Sequence, residues 1–152
     1  MGYEVVSVDN DPRWEPDIVV NIGVWQFWKI FRPQHFDVIG CSPPCTEYSR
    51  AMPTRPRDFE KADRLVQAAL DIVDYLQPRL WFLENPKSGE LCNRAFMEGI
   101  PFIDVDYGQF ADYGYQKPTR LWGSDSLLRL ENRECDGRCP SQVERGGNGL
   151  TG

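Results

Sequence analysis

An apolar run followed by a double proline, residues 37–45, places the strongest constraint on how this chain folds. Its first half is rich in β-favouring side chains and predicts a short buried strand. Pro43 and Pro44 end that strand because neither has a backbone N–H to donate, and each restricts the residue before it. Cys45 is therefore held in one position, which suits a nucleophile. A proline turn with an incidental cysteine is the alternative, and this segment alone does not decide between them.

The length of 152 residues fits one domain with a usable core. No apolar run approaches the roughly 18 residues that span a bilayer, and the first residues lead into a strand-like pattern rather than a secretory signal. We therefore expect a cytoplasmic protein. Five cysteines, an odd number, favour reduced thiols over a disulfide scaffold. Of these, Cys41 is expected in the core, and Cys92 has no evident role.

The overall charge gives no sign of a nucleic-acid binder, since 17 basic residues stand against 23 acidic ones for a net charge of −6. Four arginines nevertheless follow the double proline, at Arg50, Arg55, Arg57 and Arg64. They could meet a phosphate backbone, although an ordinary solvated loop is the simpler interpretation without the neighbouring cysteine. The single histidine, His35, is interpreted as structural or exposed.

Strand and helix patterns alternate along the chain. Short strands are predicted at residues 3–8, 17–22, 38–41, 80–83, 102–107 and 120–123. Apolar residues recur at helical spacing from Phe59 to Leu76, where Asp58 can cap the helix and Pro78 ends it. The aromatic side chains of residues 24–32 predict a short amphipathic helix that covers the sheet. This alternation predicts an α/β fold with a mostly parallel sheet.

Polar residues follow three of the predicted strands, namely Asp9, Cys45 and Glu84. In a parallel sheet, ligands bind outside the carboxyl ends of the strands, and an acidic residue there accepts hydrogen bonds from ribose hydroxyls. Taken alone, Asp9 is better explained as part of a turn. Three such residues at equivalent strand ends are much less readily explained as incidental.

Three segments together resemble the DNA (cytosine-5) methyltransferases, especially the compact phage-type members. They are the double-proline loop that ends at Cys45, the Glu84–Pro86 segment, and the Tyr113–Arg120 segment. They occur in the family's order, and the resemblance covers roughly residues 1–125. It implies a Rossmann-like methyltransferase fold with a mostly parallel twisted sheet.

The resemblance also implies a role for each matching residue. Cys45 would add as a thiolate to carbon 6 of cytosine, and Glu84 would hold or protonate ring nitrogen 3. Arg120 would bind the exocyclic oxygen of the base, and Asn85 would brace the cysteine loop. The target base in DNA must leave the duplex for this chemistry, at a cost of a few kcal/mol.

S-adenosylmethionine is the cofactor that the family uses as its methyl donor. Asp9 matches the acidic residue that binds the ribose hydroxyls, and Asn10 follows where a side chain packs on adenine. Asn21 falls near the position that meets the adenine amino group, where a carboxylate is common; an amide oxygen can still accept that hydrogen bond. Ser42 and Pro43 would lie beside the methionine part.

The chain also departs from the family pattern. The glycine-rich loop that wraps the methionine end has no counterpart, position 118 has Pro118 where a second arginine is usual, and little length follows Arg120 for target recognition. We therefore expect residues 1–128 to be a partial catalytic core, incomplete at both ends, or a short protein completed by a partner. Residues 129–152 are expected to form an irregular tail. Cys135 and Cys139 in that tail supply too few ligands for a zinc site.

Two other functions remain open at this stage. The first is a methyltransferase of the same fold that acts on RNA or on a free pyrimidine nucleotide. The second is a catalytically silent binding fragment, which the missing glycine loop and the negative charge favour. A role in restriction or in phage self-protection is likewise undecided by the sequence.

Overall fold

A computed structural model describes residues 2–50, 55–107 and 117–125 of the chain. It contains one α-helix, six strands and several short 3-10 turns in these ranges. The strands are β1 (Val8–Asp9), β2 (Ile18–Val19), β3 (Val38–Cys41), β4 (Leu80–Pro86), β5 (Phe102–Asp106) and β6 (Pro118–Gly123), and the helix is α1 (Phe59–Leu76). The prediction of an α/β fold is confirmed, and none of the described helices is long and apolar enough to cross a membrane.

The helix α1 has the bounds that the sequence predicts. The carboxylate of Asp58 accepts the N–H of Lys61 at 3.0 Å, which satisfies one of the free donors of the first turn. Gln77 ends the helix in the left-handed conformation, and its N–H donates to the Val73 carbonyl. The apolar face is buried along its whole length, with Ala62, Val66, Ala69, Ile72, Val73 and Leu76 as its buried residues. The helix, its cap and its end are therefore confirmed.

The strands form two sheets, and the larger one is not mostly parallel. Its order is β3-β4-β6-β5, in which only β3 and β4 are parallel, while β6 is antiparallel to both of its neighbours. The prediction of a mostly parallel sheet is wrong for these strands. Only residues 107–117 connect β5 to β6, fewer than the dozen or more that a parallel crossover needs.

The N-terminal strands β1 and β2 pair in parallel as a separate two-stranded sheet. Each is only two residues long, much shorter than the predicted strands at residues 3–8 and 17–22. The edge strand β3 is also less buried than the sequence predicts, because Val38 is 51% exposed. Among the described residues β3 lies at the edge of the sheet, with β4 as its neighbour on one side only.

The aromatic stretch at residues 24–32 contributes to the core but is not an α-helix. Asn21 caps a 3-10 turn at Ile22–Val24, and Trp25 then takes an extended backbone, which stops any longer helix. A second 3-10 turn follows at Phe27–Lys29. Trp25, Phe27 and Phe31 pack with Ile72 and Leu76 of α1, so the prediction that these aromatic residues belong to the core is confirmed for them.

The main core lies between α1 and the four-stranded sheet. Val66 and Ala69 of the helix pack with Leu83 of β4 and Trp122 of β6, and all four are nearly inaccessible to solvent. Leu91 and Met97, in the turns between β4 and β5, complete this cluster. The core therefore fixes β4, the central strand, whose carboxyl end carries Glu84 and Asn85.

Gly40 of β3 is expected to tolerate no side chain without cost. A Cβ atom there would lie 2.7 Å from the ring of Phe82, its partner on β4, so the ring would have to shift. We expect Gly40→Ala to lower the free energy of unfolding by about 1–3 kcal/mol. Urea unfolding followed by circular dichroism measures the change. Gly2→Ala, where no atom lies within 4 Å, is the control and should have no effect; equal midpoints for the two variants would contradict the prediction.

Candidate active site

The loop after β3 carries Cys45 and is held by its backbone. Pro43 is buried, and its carbonyl accepts a hydrogen bond of 3.1 Å from the side-chain amide of Asn85. The carbonyl of Cys45 accepts the N–H of Tyr48 at 3.0 Å, which closes a turn directly after the cysteine. The thiol of Cys45 is free and half-buried. The loop therefore presents a reduced, accessible thiol at a fixed position.

Asn85 is the residue that joins this loop to the central strand. It is fully buried on β4, between β3 and β6, where it makes the contact with Pro43 that a bracing role requires. Its side-chain oxygen is buried and has no hydrogen-bond partner among the described residues. A substitution at Asn85 would remove the hydrogen bond to Pro43 and leave that buried carbonyl without its donor, which costs free energy and should loosen the cysteine loop. The bracing role itself stays a prediction.

Glu84 precedes Asn85 and leaves β4 on the opposite face of the sheet, because successive residues of a strand alternate. Its side chain is 14% exposed, and its Oε1 atom makes no hydrogen bond in the part of the chain that the structure describes. That oxygen lies 3.4 Å from the ammonium of Lys117. A largely buried carboxyl whose Oε1 atom makes an ion pair but no hydrogen bond within that part of the chain retains acceptor capacity for a bound group.

Lys117 was not singled out by the sequence analysis, although it falls inside the Tyr113–Arg120 segment. It precedes β6, and that strand pairs with β4 so that Thr119 stands opposite Pro86. This pairing brings the lysine to the end of β4, where its ammonium meets Glu84. The sequence shows only a basic residue three positions before Arg120, and nothing near it indicates that its partner is Glu84.

Arg120 is paired with Asp104 rather than with Glu84. Its Nε and Nη2 atoms donate to the two carboxylate oxygens of Asp104 at 2.7 and 3.0 Å, and its guanidinium stacks 3.8 Å from the ring centre of Phe102. The hydrogen bond from Arg120 lowers the pKa of the Asp104 carboxyl. Since Arg120 stands opposite Asn85 in the register, it leaves the sheet on the face away from Glu84. The structure therefore does not bring Glu84 and Arg120 together, and a role for Arg120 at the base stays a prediction.

A cleft of about 1450 Å³ is lined by both β1 and β3, by the loop after β3 and by apolar residues of α1. Each residue predicted to bind the cofactor lies on it: Asp9, Asn10, Asn21, Ser42 and Pro43. Sites for small ligands typically have volumes of about 300–1000 Å³, so this cleft could hold a large one. The structure thus brings the five residues to one place, and their roles stay predictions.

Asp9 and Asn21 each use one oxygen to shape their own turn. Oδ1 of Asp9 accepts the N–H of Asp11 at 2.8 Å, which is the turn that the sequence suggested. Oδ1 of Asn21 accepts the N–H of Gly23 at 2.9 Å. A carboxylate has a second oxygen and an amide oxygen has a second lone pair, so both residues retain acceptor capacity for a ligand.

Comparison with known proteins gives a relative of this chain. The chain is 29% identical to a protein of Frog virus 3 (isolate Goorha) described as a probable DNA (cytosine-5)-methyltransferase. The alignment extends over 177 positions and includes 99% of this chain and 80% of the relative. This similarity supports a place for the chain in the DNA (cytosine-5) methyltransferase family. No model of a protein family matches the sequence.

The arginines after the cysteine loop are less available to a phosphate backbone than the sequence suggested. Three of the four form ion pairs within the protein: Arg50 with Glu90, Arg55 with Glu47, and Arg64 with Glu60. Arg57 donates to the carbonyl of Ser49 and lies over the ring of Phe59. These partners neutralise much of the local positive charge, so the simpler interpretation as an ordinary loop is favoured.

The other described cysteines, Cys41 and Cys92, lie in different surroundings from Cys45. Cys41 packs against the core, as predicted, and burial raises the pKa of its thiol to about 11, so it is protonated at neutral pH. Cys92 contacts the carbonyl of Gly89 and packs against the core. Cys135, Cys139 and the predicted tail lie outside the described residues, which contain no cluster suited to a metal ion. His35 is exposed and packs against Phe31 and Phe36, as expected for a structural residue.

Proposed function

We propose that this chain methylates carbon 5 of cytosine in DNA, with S-adenosylmethionine as methyl donor and Cys45 as nucleophile. The observation that carries the proposal is the hydrogen bond between Asn85 and Pro43. It fixes the cysteine loop against the strand that also carries Glu84. A restrained thiol and a largely buried carboxyl are the two groups that this chemistry needs.

The two side chains would act on opposite parts of the cytosine ring. The Cys45 thiolate adds to carbon 6, and the electrons displaced into the ring require a proton or a hydrogen bond at nitrogen 3. Glu84 would supply it through Oε1, which makes no hydrogen bond in the described ranges. Carbon 5 would then carry the methyl group that the cofactor supplies. Transfer of its proton to water would re-form the double bond and release Cys45 as a thiolate, while the nitrogen 3 proton returns to Glu84. Lys117, 3.4 Å from Glu84, would balance the charge that the carboxylate acquires.

The cleft fits S-adenosylmethionine in its chemistry and its position. When bound, the cofactor supplies an electrophilic methyl group. Asp9 is the last residue of β1 and is half-buried, and its Oδ2 oxygen would accept hydrogen bonds from ribose hydroxyls while Oδ1 keeps its turn. Val8, Ile22 and Ile39 supply apolar wall beside it. Ser42 and Pro43 lie on the same cleft and directly precede the Cys45 segment, so the methyl donor and the thiol would serve one site.

Cofactor binding is testable by calorimetric titration with S-adenosylhomocysteine. We expect a dissociation constant in the micromolar range, and Asp9→Asn should weaken binding by about ten- to a hundredfold, because a hydrogen bond to a charged group contributes roughly 1.5–3 kcal/mol. Glu15→Gln removes a charge from an exposed turn of the same segment and should bind like the unmodified chain. Equal affinity in both variants would contradict the assignment of Asp9.

The substrate class is testable by direct product analysis. The chain is incubated with radiolabelled S-adenosylmethionine and either duplex DNA, RNA or free cytidine nucleotides, and the labelled nucleoside is identified after digestion. The proposal predicts 5-methyl-2′-deoxycytidine from DNA. Label in RNA or free nucleotides alone would show a different substrate for the same site, and cofactor binding without transfer to any of the three would favour a silent binding protein.

A further inference from the structure

A buried network of three polar side chains joins the segment after Cys45 to the helix. Tyr48 is completely inaccessible to solvent, and its hydroxyl donates to Oδ1 of Asp63 on α1 at 2.8 Å. The guanidinium of Arg94 binds the same carboxylate, with its Nε atom 3.1 and 3.0 Å from the two oxygens. Asp63 therefore accepts hydrogen bonds from two elements that flank the helix, and its side chain is only 13% exposed.

The backbone of Tyr48 is tied down at the same point. Its N–H donates to the carbonyl of Cys45, and its own carbonyl accepts the N–H of Glu90 at 2.9 Å. Residue 48 thus contacts the nucleophile's turn, the segment after β4 and the helix α1. Because protein interiors are closely packed, the fixed position of Tyr48 also restricts the turn that its N–H closes with Cys45.

The surroundings keep the Tyr48 hydroxyl a hydrogen-bond donor. Burial, and then the hydrogen bond to Asp63, raise the pKa of this phenol, so it remains protonated at neutral pH. The guanidinium of Arg94 neutralises the Asp63 carboxylate and lies 5.0 Å from the ring centre of Phe59, which covers the network. Tyr48 and Phe59 are also in ring contact, at 6.1 Å between centroids.

We propose that Tyr48 is a positioning residue that sets the place of the Cys45 thiol through its hydrogen bond to the Asp63–Arg94 pair. Its effect on catalysis rests on the proposed function, whereas its effect on the loop does not. Removing the hydroxyl leaves Asp63 bound to Arg94 and the core unchanged in volume. The Cys45 turn then loses its hydrogen bond to α1 and keeps only the ring contact with Phe59, so it opens locally without unfolding of the domain.

The test is the rate at which iodoacetamide alkylates individual thiols in Tyr48→Phe, with tandem mass spectrometry to locate the modified cysteine. Cys41, four residues before Cys45 and packed against the core, is the internal reference within the same chain. We expect alkylation of Cys45 to rise by about tenfold while that of Cys41 stays unchanged. Tyr75→Phe is the matched control, since this tyrosine of α1 packs on Phe27 in the second cluster.

The outcomes separate local positioning from general stability. An unchanged Cys45 rate in Tyr48→Phe would overturn the proposal, and so would a parallel rise at Cys41 and Cys45, because the second result indicates global opening. In a methyl-transfer assay, Tyr48→Phe should lower kcat by about tenfold and change KM for DNA by less than about twofold. If the unmodified chain transfers no methyl group, the proposed function fails, and the thiol rates still decide the positioning role.

Discussion

Cys45→Ser should reduce methyl transfer to DNA by more than about a thousandfold while leaving the fold intact. A serine hydroxyl is a far weaker nucleophile than a thiol unless a neighbouring base activates it. The fold should survive because Asn85 and Tyr48 hold the loop through backbone carbonyls, and the thiol itself forms no disulfide. Transfer of radiolabelled methyl groups measures the activity, and circular dichroism measures the fold.

Covalent trapping identifies the step that the substitution removes. On DNA that contains 5-fluorocytosine, fluorine at carbon 5 prevents the final elimination, so the unmodified chain should remain attached to the DNA through Cys45. Cys45→Ser should form no adduct, whereas Cys92→Ser should form it normally because the proposed reaction gives that thiol no part. Methyl transfer retained by Cys45→Ser would disprove the assignment of the nucleophile.

The parts of the fold that the sequence predicted well are those determined by local interactions. The helix α1 carries its own signals in its apolar periodicity, in the Asp58 cap and in the proline after its end, and all three act within a few residues. The strand β5 was likewise predicted, because its alternating pattern is visible along the strand itself. Such features depend little on the rest of the molecule.

Strand direction and side-chain partners were not predictable in the same way, because they depend on distant pairing. Nothing within β6 indicates that it would lie between β4 and β5 and run antiparallel to both. That placement decides the site, since it joins Arg120 to Asp104 and brings Lys117 to Glu84. Trp25, Phe27 and Phe31 were correctly placed in the core, whereas Trp28 is 51% exposed. The turn that Asn21 caps replaced the predicted helix.

The alternation of β4 gives its two consecutive polar residues different tasks. Asn85 faces the cysteine loop and binds it through Pro43. Glu84 lies on the other face of the strand, where its Oε1 atom makes an ion pair with Lys117 but, among the described residues, no hydrogen bond. The family resemblance assigned both residues from one short motif. The structure adds a reason for their order, because exchanging them would place a carboxylate against the buried Pro43 carbonyl, where no donor would remain to hold the loop.

Glu84→Gln should lower the rate of methyl transfer by about a hundred- to ten-thousandfold, the usual contribution of a positioned acid or base. Glutamine keeps the shape of the side chain but cannot give a proton to nitrogen 3, so addition of Cys45 to the ring becomes slow. It also leaves the ammonium of Lys117 without its carboxylate partner 3.4 Å away. Single-turnover assays with radiolabelled S-adenosylmethionine measure the step itself.

The control for Glu84→Gln is Glu98→Gln, which removes an exposed carboxylate after a turn between β4 and β5. This variant should keep full activity, and both variants should bind S-adenosylhomocysteine equally, because neither position lies on the cleft. A rate within about threefold of the unmodified chain in Glu84→Gln would exclude proton transfer by this carboxyl, since a general acid contributes about a hundredfold or more. Activity would then have to depend on hydrogen bonding alone at this position, which glutamine can still provide through its amide.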